Sequence, residues 1–252
     1  MSAQPDTLAD LDFAMHDLPT VRRRVPYGIG ASEVALASLS LGLVALDTVP
    51  SWMRERAGMS RHGCARWIAT KVGLAANPQK RHMAQGVARE PEILDRWIGR
   101  LERDEWQHEC ERAIDPDSVQ WWGALPSEFP PFKDSRSPLV DKPDAWARTW
   151  AGDLVLISIK CARYGFSKPA WWNGITELPW YYADQQHAEH AIVRAKYSIA
   201  LVGCGWNRDA DDPRDDGPLL ALPVWRVDRE IERVRDVARR AWAIVEPRIS
   251  RA

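Results

Sequence analysis

The residues Leu154-Val155-Leu156-Ile157-Ser158-Ile159-Lys160 form an almost unbroken apolar run that stops on a lysine. A run this short and this apolar is the pattern of a β-strand covered on both faces. Side chains alternate across a strand, so Ser158 and Lys160 share a face. Upstream, Pro143-Asp144 marks a turn from which the chain can return a carboxylate to the side of that lysine. A core strand has no packing reason to end this way, so the stretch Pro143–Lys160 reads as a site as well as a core.

The 252-residue chain is long enough for one sizeable core around that strand. Residues 1–24 are polar, interrupted by Pro5 and Pro19, and read as a loosely ordered extension; 25–252 read as a single domain. Gly28-Ile29-Gly30-Ala31-Ser32-Glu33-Val34 opens a short helix running to Leu41, with exposed N–H groups that attract an anion. A broken helical pattern covers Ser51–Gly73. Lys80–Leu101 has helical spacing of Met83, Val87, Ile93, Leu94, Trp97 and Leu101, with Pro91 predicting a kink or a junction between two helices. Cys110–Ile114 and Val119–Trp122 read as short strands broken by Pro116. Pro179 opens a helix on which Tyr182, Gln185 and Glu189 share a face. Ile199–Val202 and Leu219–Val227 read as further strands, and Asp228–Val245 as an amphipathic helix.

Composition narrows the function classes. A net charge of −1 means that no global field draws the chain onto nucleic acid, so any such contact needs local patches or metal ions. The 4 cysteines are scattered without a CxxC pair, which argues against a zinc site and predicts buried thiols in a reduced cytoplasm. No apolar run spans a bilayer, and the first residues lack the order of an export signal. The 14 tryptophans read by default as core anchors. His187 and His190 read as a surface cluster, since no second acid-and-histidine helix completes a metal site. Spacing alone reaches a metal-dependent hydrolase and goes no further.

In chain order, the Gly28–Val34 opening, Gly86-Val87-Ala88-Arg89-Glu90-Pro91, Pro143-Asp144, Ser158-x-Lys160 and Tyr182-x-x-Gln185 resemble the motifs of the YqaJ and lambda-exonuclease-like viral recombinases. That family lies in the PD-(D/E)xK nuclease superfamily, and the resemblance covers roughly Val25–Val245. It implies an α/β fold: a PD-(D/E)xK restriction-endonuclease-like core whose mixed central sheet is flanked by helices. It also implies an exonuclease for double-stranded DNA ends, dependent on Mg²⁺ or Mn²⁺. Such an enzyme acts in phage-type recombination beside a single-strand annealing protein and can form a homo-oligomeric ring. Glu90, Asp144 and the Ile159 carbonyl are then metal ligands, Lys160 orients water or stabilises charge, and Gln185 positions by hydrogen bonding. Arg24 and Ser32 match the region that contacts a DNA phosphate, and Arg148 is among further basic candidates. Asp141 substitutes for Asp144 if that side chain points away.

One position departs from the motif: Ser158 stands where the family has an acid. A neutral hydroxyl is a weak Mg²⁺ ligand, so the cage loses a charge. Three accounts stay open. The acid has moved to Glu189, one helical turn after Gln185; or Glu90, Asp144 and a carbonyl suffice; or the chain is a catalytically inactive DNA-end-binding or assembly subunit on the same fold. Glu177 is a less favoured donor, and Asp153 has the wrong strand parity.

Overall fold

The computed structural model describes residues 28–45, 49, 71, 81–121, 132–162, 178–204 and 219–249. They form β1 (Ile29–Gly30), a 3-10 turn (Ala31–Glu33), α1 (Val34–Ser40), α2 (Arg81–Glu102), α3 (Glu109–Arg112) and β2 (Ile114–Trp121). β3 (Phe132–Lys133), β4 (Leu139–Asp141), β5 (Ala145–Thr149) and β6 (Leu154–Ala162) follow, then α4 (Trp180–Ile192), β7 (Tyr197–Cys204), β8 (Leu219–Trp225) and α5 (Asp228–Ile249). The expectations for residues 1–24, the Ser51–Gly73 pattern (Lys71 apart) and Glu177 fall outside the described residues.

The apolar run is the middle strand of a five-stranded sheet ordered β2-β5-β6-β7-β8. β6 runs antiparallel to β5 and parallel to β7, so the sheet is mixed, as expected. Central placement explains why β6 is apolar on both faces. α2 lays Ile93, Leu94, Trp97 and Leu101 against Val155, Ile157 and Ile159 and their neighbours on β7. Despite Pro91, α2 is one helix, not two. Trp97 is fully buried, and its indole N–H donates to Glu111 Oε1 at 2.8 Å. Other tryptophans depart from the core reading: Trp150 and Trp225 are exposed.

The region before β3 differs from the sequence reading. Glu109–Arg112 is helical, so the strand expected over Cys110–Ile114 does not form there, and a single strand then runs from Ile114 through Pro116 to Trp121. Proline is tolerated because β2 is an edge strand whose register shifts between Asp115 and Gln120. The opposite edge, β8, carries Pro223 for the same reason. Cys110 and Cys161 are half-buried free thiols, not fully buried ones, and burial lifts both to about 11, away from the reactive range.

A smaller sheet ordered β1-β4-β3 sits with the second core. Ile29 and Leu139, paired across β1 and β4, join α1, Tyr181 and Ala188 of α4, and Val234, Val237, Ala238 and Ala241 of α5. Gly28 is required here: a Cβ on it would meet the Pro138 carbonyl oxygen at 2.1 Å. α5 is tied to the β3–β4 turn by a buried fork, in which Arg235 donates to both Asp134 oxygens at 2.9 Å. Among the described residues no helix is long and apolar enough to cross a membrane.

Removing one partner of that fork leaves the other charge buried and uncompensated. Arg235→Met should therefore cost about 3–5 kcal/mol in urea unfolding. The double variant Asp134→Leu/Arg235→Met should recover most of the loss.

Candidate active site

The register of β5 against β6 builds the site. Their ladder pairs Ala145 with Ile157, and one further step sets Asp144 opposite Ser158. Asp144 takes the place of a backbone partner there: its Oδ2 accepts the Ile159 N–H at 2.7 Å. Lys160 Nζ lies 3.8 Å from the same oxygen. It donates to Ser158 Oγ at 2.7 Å and stands 5.7 Å from the centre of the Tyr182 ring. Ser158 is fully buried.

α4 delivers the next group. Pro179 caps it, and Tyr182, Gln185 and Glu189 line one face as the spacing predicts. Gln185 Nε2 donates to Glu189 Oε1 at 2.8 Å. Glu189 is 1% exposed, and its Oε2 has no hydrogen-bond partner. Burial lifts this carboxyl well above the usual carboxylate range; the charge of Asp141 adds to the rise, Lys160 opposes it and Asp144 reinforces it.

Two further carboxylates converge. Glu90, near the middle of α2, is raised to about 7 by burial and then by Asp144, against the pull of Lys160. Asp141, the last residue of β4, is likewise pushed up to about 7 by burial and by Asp144, with Lys160 again opposing and Glu33 adding to the rise. Glu33 accepts the Gly30 N–H at 2.8 Å and is paired with Lys71 at 2.5 Å.

The structure joins Ser158, Lys160 and Asp144 by direct contacts and Gln185 to Glu189, and the charges of Asp144 and Lys160 act on both Glu90 and Glu189. Ile159 contributes through its N–H, while its carbonyl remains the expected ligand. Ser32 is exposed on the 3-10 turn, next to the Glu33 that acts on Asp141. Arg24 lies outside the described residues. Asp141 enters beside Asp144 and not in place of it. Nothing local distinguished the two acids; the signal was that Asp141 closes a strand of its own. Glu33 was present in the opening motif, but its pairing with Lys71, 38 residues away, has no sequence pattern.

The structure places Arg148 away from this group and corrects one expectation, that for the two histidines. Arg148 sits opposite Leu154, at the far end of β6, where it donates to the Gly152 carbonyl. Six strand positions separate that end from Lys160, roughly 20 Å. Asp153 is at the same far end, paired with Lys196 at 2.5 Å. His187 and His190 are not a surface cluster: both are buried, His190 is pushed down to about 3 by burial, and Arg226 donates to its carbonyl.

The donor set can be tested against a divalent cation. Among the described residues no three His, Cys, Asp or Glu side chains form a ready-made cage. Their chemistry nonetheless fits one: Glu90, Asp141, Asp144 and Glu189 are all hard oxygen donors, opposed by the ammonium of Lys160. Glu189 Oε2 is buried without a partner, and burial first, with neighbouring acids second, raises Glu90, Asp141 and Glu189, so their charged forms lack the solvation that a hard cation would supply.

No protein-family profile matches the chain, and no curated protein sequence does. Solved structures do. The crystal structure of an alkaline exonuclease (LHK-Exo) from Laribacter hongkongensis is 16% identical over 90% of this chain and 91% of that one, with a TM-score of 0.51. LHK-Exo in complex with dAMP is 18% identical over 88% and 90% of the two chains, at a TM-score of 0.49. The likeness to the first of these is one of fold: the mixed sheet flanked by helices is an architecture that this chain shares with an alkaline exonuclease.

Proposed function

We propose that this chain is a metal-dependent deoxyribonuclease that degrades double-stranded DNA from its ends. One observation carries the reading. Glu90 from α2, Asp144 from the corner before β5 and Lys160 from β6 act on one another in a desolvated, acid-rich place. The fold, shared with an alkaline exonuclease, supports it.

Phosphodiester hydrolysis needs an activated water and compensation for charge on the phosphate oxygens. A bound Mg²⁺ or Mn²⁺ supplies both, and Glu90, Asp144 and the Ile159 carbonyl, with Glu189 as the relocated acid, would hold it. Lys160 is positioned for its part by Ser158 and Asp144: an ammonium 14% exposed, fastened on one side, keeps donors for a water or a phosphate oxygen. Asp144 is aimed by its bond from Ile159. Gln185 immobilises one oxygen of Glu189 and leaves the other free. Tyr182 walls off the far side of Lys160. Ser32 and Arg24 would contact the DNA phosphate. Action in phage-type recombination, beside a single-strand annealing protein and as a ring-shaped homo-oligomer, extends the same proposal from the motif resemblance.

With Mg²⁺ present, end-labelled linear duplex should be shortened while covalently closed circles survive. Asp144→Asn, Glu90→Gln and Lys160→Ala should each slow release of label by about a hundredfold or more. Trp150→Ala, at the exposed far end of the sheet, should match the wild type. DNA-end binding with no cleavage at any Mg²⁺ or Mn²⁺ concentration would point instead to the inactive end-binding subunit.

A pH effect follows from the raised carboxyls. Folded Glu90 holds its proton to about 7, against 4.5 for an ordinary glutamate, so between those values the folded state binds more protons than the unfolded one. Asp141 acts in the same direction. Metal-free protein should therefore lose thermal stability as pH rises through this window, and saturating Mg²⁺ should flatten the loss. A flat profile without metal would contradict the raised carboxyls.

A further inference from the structure

We infer that Trp146 is a nucleobase-stacking subsite beside the catalytic group, taking an unpaired base at the DNA end. The inference rests on the nuclease reading of the neighbouring site. β5 has two unlike faces. Ala145 and Ala147 are buried in the core that α2 covers, whereas Trp146 is half-buried and Arg148 exposed on the other face. Alternation puts Asp144 on that second face as well, so a row runs along the strand from carboxylate to indole to guanidinium. Asp144 and Trp146 are two residues apart, roughly 7 Å between Cα atoms. Across the ladder Trp146 is paired with Leu156 of β6 and with Gln120 of β2. Leu156 shares its face of β6 with Ser158 and Lys160, so the indole and the catalytic lysine belong to one continuous surface.

Packing does not account for this tryptophan. Among the described residues it belongs to neither hydrophobic core, whereas Trp97 anchors one of them. Arg148, too far along the strand to serve Lys160, reaches back to the indole: its Cζ lies 5.7 Å from the ring centre. Its Nη1 is fastened to the Gly152 carbonyl at 3.0 Å, which holds the guanidinium beside the ring and leaves its other donors for a phosphate. An aromatic ring flanked by a fixed cation is the arrangement that takes single-stranded nucleic acid, because every base has a π-face to stack and a phosphate to neutralise. A base inside a duplex is already stacked on its neighbours. The subsite therefore selects a nucleotide released from its partner strand, which is what a duplex end supplies to a site that digests one strand.

Steady-state degradation of end-labelled duplex by full-length Trp146→Leu and Trp146→Phe proteins tests this. Leucine keeps the apolar bulk but cannot stack, so KM should rise about tenfold with kcat nearly unchanged, and phenylalanine should restore most of the affinity. Trp150→Leu, at the exposed far end of the sheet, should keep the wild-type KM. A wild-type KM in the leucine variant, or equal losses in the leucine and phenylalanine variants, overturns the inference and leaves the nuclease reading standing. Wild-type protein that neither binds nor degrades DNA overturns both. A second measurement needs no variant. With Ca²⁺ in place of Mg²⁺, a duplex whose end carries unpaired 5-iododeoxyuridine should photo-crosslink to the peptide containing Trp146, whereas crosslinks confined to other peptides overturn the subsite.

Discussion

Everything at the site hangs on the register between β5 and β6. Because side chains alternate, a slip of one residue would turn Ser158 and Lys160 to the opposite face and carry Asp144 out of reach of both. The register is held by burial and by the hairpin turn together: Ala145, Ala147, Val155 and Ile157 are all fully buried in the core that α2 covers, and between the strands the Thr149 N–H donates to the Asp153 carbonyl at 2.8 Å around Gly152, whose φ is +86°. The small side chains of Ala145 and Ala147 beside the large ones of β6 make that packing specific to one pairing. The hydrogen bond from Ile159 to Asp144 then extends the ladder by a side chain where the backbone of β5 has turned away.

A second constraint follows from the first. Burial of Glu90, Asp141 and Glu189, with Asp144 close by, raises the proton affinity of all three, which is a cost to the fold of keeping them ionised. The helix bearing the most buried of them is braced from its other side. Arg233 of α5 forks onto Asp184, and Arg226 donates to the carbonyl of His190. α4 thus carries an uncompensated carboxylate on one face and is tied by ion pairs and hydrogen bonds on others. Stability is spent at the place where buried acids meet.

Local periodicity made much of this legible in the sequence. The apolar run of β6, the helical spacing of α2, Pro179 at the start of α4 and the shared face of Tyr182, Gln185 and Glu189 are all written within a few turns or strand residues of themselves. What escaped depends on neighbours far away in the chain. Pro116 reads as a strand breaker until β2 is seen to be an edge, where a missing N–H costs little. His187 and His190 read as surface residues until α5 and β7 cover them. The Lys71–Glu33 pair joins residues 38 apart, and Glu33 comes within range of Asp141 across the β1–β4 pairing, neither of which a local pattern announces.

The serine at 158 is best understood as a matter of where a fixed amount of charge can be afforded. Position 158 is fully buried on the central strand, opposite Ala200 of β7, with no water to share a carboxylate's charge. A glutamate there would add one more acid to a group in which three are already forced upward in pKa. Serine removes that charge and gives Lys160 a neutral acceptor, so the ammonium is oriented without being neutralised. A carboxylate on α4 has a different character: Gln185 holds one of its oxygens, and the braced helix holds the residue itself. With Glu189 as the proposed acid, the ligand group sits on the helix and off the one element whose register the whole site requires.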